Sequence, residues 1–167
     1  YVAIGMDHFC RPDDEFFIAL NNNQLHRNFQ GYCTTKTTGQ VYGFGASSIS
    51  QLFSAYSQNV KNAAQYIKKI NEKNTAVLRG YKLDKNEKII RDIINSIMCN
   101  YYVDFSEISE KFKTDIVSIK KIINFSEESL RDFTDLNIME IKNDKITISH
   151  NARLFIRNIA MKFDPQL

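Results

Sequence analysis

Residues 84–99, "DKNEKIIRDIINSIMC", decide how this chain folds. Asp84 followed three positions later by Glu87 is a capping box, in which each side chain takes up a backbone N–H that the first helical turn leaves unpaired. Behind it Ile89, Ile93 and Ile97 recur every fourth residue beside Ile90, Ile94 and Met98, so the apolar side chains fall on one broad face. The stretch predicts a helix that must be buried.

The same logic runs downstream. Asp104 with Glu107 caps a second helix over "FSEISEKF", a third runs through "DIVSIKKII", and Ser126 opens a fourth across "EESLRDFTDL". "IMEI" and "KITIS" flank Asn143 and Asp144, which reads as a hairpin with a two-residue turn. Ser149 is expected to cap a last helix with Ala152, Phe155, Ile156, Ile159 and Phe163 on one face. Helices followed by a hairpin describe a winged-helix-like domain over residues 82–167.

Upstream of residue 82 the grammar differs. "VAIG", residues 2–5, reads as a buried strand that ends in a polar loop beginning at Asp7, His8 and Phe9. "RPDDEFFIALNNN" reads as a helix, with Pro12 near its start, acids in the first turn and asparagines at its end. Residues 26–40 show no period and read as a long loop. "VYGFGASSISQLF" predicts a short strand, a Gly-x-Gly turn and a Ser-rich helix start, followed by a helix over 59–72 and an extended connection, "AVLRGYKL". Residues 1–81 are thus expected to alternate strand and helix, with too few strands to close a sheet.

Composition narrows the class. A chain of 167 residues, 43% hydrophobic, can bury one sizeable core or two small ones. No run reaches 18 apolar residues and the first residues lack a secretory signal, so a cytoplasmic setting and no membrane partner are expected. With Tyr1 first and no initiator methionine, the expectation is a piece of a longer protein. Lys and Arg exceed Asp and Glu by 22 to 19, and a net charge of +3 does not require a polyanionic partner. The stretch 127–136 sets Glu127, Glu128, Asp132 and Asp135 against Arg131 alone, a balance that DNA phosphates would repel, so no nucleic-acid partner is expected.

Candidate chemistry is sparse. Cys10, Cys33 and Cys99 have neither the number nor the spacing of a disulfide framework or a C-x-x-C metal site, and read as reduced structural thiols. Gly43 and Gly45 could admit a phosphate or nucleoside to the backbone, although Ser48 replaces the third glycine of a dinucleotide fingerprint and a plain tight turn explains them as well. His8 and Cys10 are not expected to share a metal ion, and no catalytic nucleophile, base and orienting group can be assembled.

Four segments in order, "GMDHFCRPDDEF", "LHRNFQGY", "YGFGASSIS" and "RLFIRNIAMKFD", carry a resemblance that covers essentially the whole chain. Through them it resembles the C-terminal portion of the oxygen-independent coproporphyrinogen III oxidases, radical SAM enzymes of haem biosynthesis. Cys10 stands where that family more often has alanine. The resemblance implies an α+β, mostly helical fold: the C-terminal remnant of a partial (β/α) barrel over 1–81, then the winged-helix-like domain.

The family's C-x-x-x-C-x-x-C triad for a [4Fe-4S] cluster is not among these residues, so the cluster would belong to an N-terminal part. The resemblance further implies S-adenosylmethionine as cofactor and coproporphyrinogen III as substrate. In that family a 5'-deoxyadenosyl radical would take a hydrogen from each of two propionates, and loss of one CO2 and one electron from each, the electron passing to an external acceptor, would leave the two vinyl groups of protoporphyrinogen IX. Such a radical attacks almost any C–H bond, so the chamber must hold substrate at near contact and exclude water. The positions matching Gln30 and Ile49 touch a second S-adenosylmethionine in the family. Gln30 would offer an amide and Ile49 apolar surface, against the plainer expectation of a loop-binding amide and a core side chain. The resemblance also implies a monomeric parent and an isolated 167-residue chain without oxidase activity. The competing expectation is a non-catalytic winged-helix binding module.

Overall fold

The computed structural model describes residues 1–37 and 39–167, in which short helices are interleaved with small antiparallel sheets. Strand β1 (Val2–Gly5) forms as its apolar run predicts, but it pairs antiparallel with β2 (His8–Cys10), so His8 and Phe9 lie in a strand and not in a loop. Asp14 then starts α1 (Glu15–Asn21) by accepting the Phe16 N–H at 2.9 Å.

Two expectations for the first half are overturned. Within the stretch read as a loop, β3 (Leu25–Asn28) and β4 (Gly31–Thr34) form a hairpin closed by Phe29 and Gln30. Asn28 locks the turn, its Oδ1 accepting the N–H groups of Gln30 at 2.9 Å and Gly31 at 3.3 Å. The hairpin leaves no alternating pattern because Leu25 and Thr34, paired across it, are buried while the other six strand residues are all half-buried. Nor does a helix begin after Gly45: the chain runs into β5 (Ile49–Gln51) and β6 (Ala55–Asn59), then α2 (Ala63–Lys73), and "AVLRGYKL" supplies β7 (Val77–Lys82).

Local chemistry explains that second departure. Val41 and Gln51 exchange N–H···O bonds of 2.9 Å in both directions, folding the glycine turn back onto β5. A Cβ on Gly43 would stand 2.7 Å from the Ile49 carbonyl oxygen, so the glycine admits this chain's own backbone. Ser48 donates to the Gly45 carbonyl at 2.8 Å and the Asn59 amide donates to the Gly43 and Gly45 carbonyls, so these polar groups pin a loop. The sheet runs β5–β6–β7, and every strand pair among the described residues is antiparallel.

The second half follows the reading closely. Helix α3 (Lys85–Asn100) carries the capping box: Glu87 N–H donates to Asp84, and Asp84 N–H to Glu87, both at 2.8 Å. Then come β8 (Tyr102–Asp104), which the reading missed, α4 (Phe105–Phe112), α5 (Ile116–Ile122), and α6 (Arg131–Asp135) entered through a 3-10 turn at Glu128–Leu130. Strands β9 (Met139–Lys142) and β10 (Lys145–Ile148) are joined by Asn143 and Asp144 at φ 51° and 60°, the primed two-residue turn. The sheet order is β8–β10–β9. After Ser149 the chain makes a 3-10 stretch over His150–Phe155 before α7 (Ile156–Met161). The tighter winding shifts the phase, so Phe155 is 54% exposed while Ala152, Ile156, Ile159 and Phe163 are buried as expected.

Two cores meet on α3. Ile89, Ile93 and Ile97 enter the larger, with Phe105, Ile119, Ile146, Ile156, Ile159 and Phe163. Cys99 enters the smaller, with Ile4, Cys10, Ala19 and Leu25. At the end of α3 the Asn100 carboxamide accepts the Leu25 N–H and donates to the Leu25 carbonyl, both at 3.1 Å, which satisfies β3 as a neighbouring strand would. The β5–β6–β7 sheet and α2 give no side chain to either core, and Val60 and Ala76 are the buried apolar residues of their stretch.

Asp104 joins three elements of the C-terminal half. Its carboxylate accepts the Ser106 N–H at 2.8 Å to start α4, the Tyr102 hydroxyl at 3.1 Å, and an ion pair of 2.6 Å from Lys145 of β10. Burial works to raise its pKa, but the bonds from Lys145, Ser106 and Tyr102 win and hold it down at about 2.

Two outcomes follow. Ile93→Ala should cost about 3 kcal/mol in denaturant unfolding, since a fully buried branched side chain leaves a cavity in the spine of the fold. The folded pKa of Asp104 lies below the unfolded value, so its stabilisation is complete above about pH 5 and lost as pH falls toward 2, on the order of 2 kcal/mol. Asp104→Asn, which still caps α4, should lose correspondingly less between pH 6 and pH 2.5. Equal acid losses in both proteins would exclude this linkage.

Candidate functional site

The stretch "HRNFQGY" owes its density of polar and aromatic groups to the β3–β4 hairpin and its neighbour, the β1–β2 turn. Tyr32 of β4 lies across Gly5: a Cβ there would stand 2.1 Å from the Tyr32 hydroxyl oxygen, so only glycine lets the ring through. His8 meets the same ring edge-on, centroids 5.0 Å apart, while its Nδ1 is 3.0 Å from Asp7 Oδ1. Arg27 sits 5.5 Å over the Tyr32 ring and donates to the Met6 sulfur at 2.9 Å.

The Tyr32 hydroxyl is buried with no hydrogen-bond partner, and burial foremost pushes its pKa up to about 12. At neutral pH this is an un-ionised phenol with a free donor. His26, also largely enclosed, has its pKa lowered, by burial above all, and is a neutral imidazole at neutral pH.

Gln30 stands exposed at the tip of the hairpin turn, and Ile49, 38% exposed, lies on β5. They belong to different sheets. Among the described residues one bond ties those sheets together: Phe29 N–H, next to Gln30, donates at 3.1 Å to Oε1 of Gln51, two residues along β5 from Ile49 and on the same face. Ile49 itself lines an open groove of about 440 Å³ with Tyr56, Arg79 and Tyr81. Gln30 is not among the residues that line this groove, so the two expected contact residues do not share its walls.

The thiols do not fit an iron–sulfur cluster. Cys10 and Cys99 are buried in the smaller core, Cys33 is half-buried on β4, and among the described residues no group of three His, Cys, Asp or Glu side chains could hold a metal. Burial raises all three thiol pKa values, Cys99 to about 12, as suits inert packing groups.

Sequence reasoning missed the side chains that hold distant elements together, Gln51 within the first half and Arg91 between the halves. Arg91, on the half-buried side of α3, donates to the carbonyls of Leu52 at 3.3 Å and Phe53 at 2.6 Å and faces the Tyr56 ring. Nothing local marks it or Gln51, because both act on backbone groups far away in sequence.

The whole chain aligns with oxygen-independent coproporphyrinogen III oxidases: it is 36% identical over 170 residues to that of Escherichia coli and 34% identical over 173 residues to that of Synechocystis, covering 36% of each. It spans about a third of the length of these curated relatives and matches their C-terminal part. The solved structure of the Escherichia coli coproporphyrinogen III oxidase, a radical SAM enzyme, superposes on 98% of this chain and 37% of its own with a TM-score of 0.86 at 36% identity. No family model matches the sequence.

The packing of Tyr32 on Gly5 gives a paired test. Gly5→Ala should cost about 1–3 kcal/mol, because the added methyl collides with the phenol tip. Tyr32→Phe removes a buried hydroxyl that has no partner and should be neutral or stabilising, while shrinking the Gly5→Ala penalty when the two are combined. Strict additivity in thermal unfolding would refute the contact.

Proposed function

We propose that this chain, which belongs by homology over its whole length with the C-terminal portion of the oxygen-independent coproporphyrinogen III oxidase family, closes the reaction chamber of such an enzyme. The observation that carries the reading is the match of all 167 residues, in sequence and in backbone, to one part of that enzyme. The parent would convert coproporphyrinogen III to protoporphyrinogen IX, with S-adenosylmethionine and a [4Fe-4S] cluster held by cysteines outside these residues. When bound, S-adenosylmethionine supplies the deoxyadenosyl group that takes hydrogen from substrate.

This chain's share of the work is binding and exclusion. Gln30 would meet the polar end of a second cofactor molecule and Ile49 its apolar flank, with the Phe29–Gln51 bond fixing the distance between them. The hairpin and the β1–β2 turn would wall the site with groups that are neutral at physiological pH, the Tyr32 phenol and the His26 imidazole among them. A barrel remnant over 1–81 and a winged-helix-like domain over 82–167 complete the reading. The order α3, β8, α4, α5, α6, β9, β10 with sheet order β8–β10–β9 supports the latter.

The binding-module alternative draws no support from the relatives, whose names are those of oxidases. Arg131, the cation of the acidic stretch, is paired to Glu128 at 2.6 Å, which favours a protein-packing role over nucleic acid. No helix among the described residues is long and apolar enough to cross a membrane. A cytoplasmic, monomeric parent is the setting proposed.

Anaerobic assay decides the matter. The gene product containing this chain, with its cluster reconstituted, should form vinyl groups from coproporphyrinogen III given S-adenosylmethionine and a reductant, and the 167-residue chain alone should form none. A reconstituted protein that yields no vinyl product, or turnover by the isolated chain, would overturn the proposal.

A further inference from the structure

An open cleft of about 520 Å³ lies between the β3–β4 turn, the middle of α3 and α7. Its surface is mainly apolar, with Phe29, Met98 and Met161 among its walls, and Phe29 and Met161 are about half-exposed (49% and 51%). Three guanidinium groups stand around it, Arg27 from β3, Arg91 from α3 and Arg157 from α7. Asp164 is the one acidic side chain in the lining, and none of the three arginines forms an ion pair among the described residues.

The lining therefore carries a net positive charge, three guanidinium groups against one carboxylate. Arg91 is held by the carbonyls of Leu52 and Phe53, and Arg27 by the Met6 sulfur, all neutral acceptors that orient a guanidinium without cancelling its charge. Apolar walls with oriented cations at their edge are complementary to a hydrophobic ring system that carries carboxylates around its rim. The volume lies within the range of about 300–1,000 Å³ that small-molecule sites occupy. Phe29 places one end of the cleft directly beside Gln30.

We infer that this cleft binds a carboxylate-bearing tetrapyrrole, its ring lying on Phe29, Met98 and Met161 and its carboxylates reaching Arg27 and Arg157. The inference rests on the reading above and adds to it a place and a set of recognising residues for the substrate. The three arginines come from separate elements, so the carboxylates are read at several points of the rim, and a mono-acid of the same ring is recognised less well.

Titration of the 167-residue chain with coproporphyrin III, the fluorescent oxidised form, tests this without any turnover. Fluorescence anisotropy at low salt should show saturable one-to-one binding, at least tenfold weaker for the tetramethyl ester. Arg157→Leu should weaken coproporphyrin III binding about tenfold with an unchanged melting temperature, and Arg157→Lys less. No saturable binding, equal affinity for the ester, or an unaltered Arg157→Leu titration would each overturn the inference. Vinyl formation by the parent gene product alongside any of those results would leave the oxidase reading intact and this site wrong.

Discussion

The structure depends on one helix being buried on two sides. Sixteen residues of α3 must satisfy a large core through Ile89, Ile93 and Ile97 and a small one through Cys99, and its polar side chains serve the elements in between. A helix so apolar has little stability in water by itself and takes it from what packs around it. The C-terminal sheet, α7 and the N-terminal hairpins are therefore positioned relative to one another by the same rod. Its last turn completes this: the Asn100 carboxamide supplies to Leu25 the donor and acceptor that a further strand would have supplied.

How much of this was legible in the sequence follows from the range of the interactions. Capping pairs such as Asp84 with Glu87, and the turn at Asn143 and Asp144, act within a few residues, so their helix and hairpin could be read directly. The β3–β4 hairpin could not, because its strands are half-covered on both faces and show no alternation, while Asn28 makes its turn through a side chain. The serines after Gly45 look like a helix start, but they bond backwards to the glycine turn and Gly43 is spent on the Ile49 backbone. Strand β8 was missed since three residues between two helices carry no period, and only β10 reveals them as a strand.

The candidate site divides along the same line. Gln30 and Ile49 entered through resemblance and lie on separate sheets, and the bond that relates them, from Phe29 to Gln51, spans a distance in sequence that no local pattern reports. Arg27, Arg91 and Arg157 are scattered single cations in a chain of near-balanced charge, and composition gives no hint that folding gathers them at one cleft. Their electrostatics arise from topology: neutral carbonyls and a thioether orient Arg91 and Arg27, and carboxylates other than Asp164 are kept elsewhere, as with Asp104 on Lys145 and Asp144 on Lys120.

The β5–β6–β7 sheet with α2 is anchored by Arg91 and Gln51 and contributes to neither core. A sheet tied in by polar contacts at its margin, with no apolar side chain in either core, belongs to the low-stability end of a fold, whereas α3 stands at the other end. The sheet's attachment to α3 is shared by the Arg91 guanidinium, the Tyr81 hydroxyl on Glu87 and Lys88 over the Phe53 ring, so it is held by polar and ring contacts in place of a packed apolar seam.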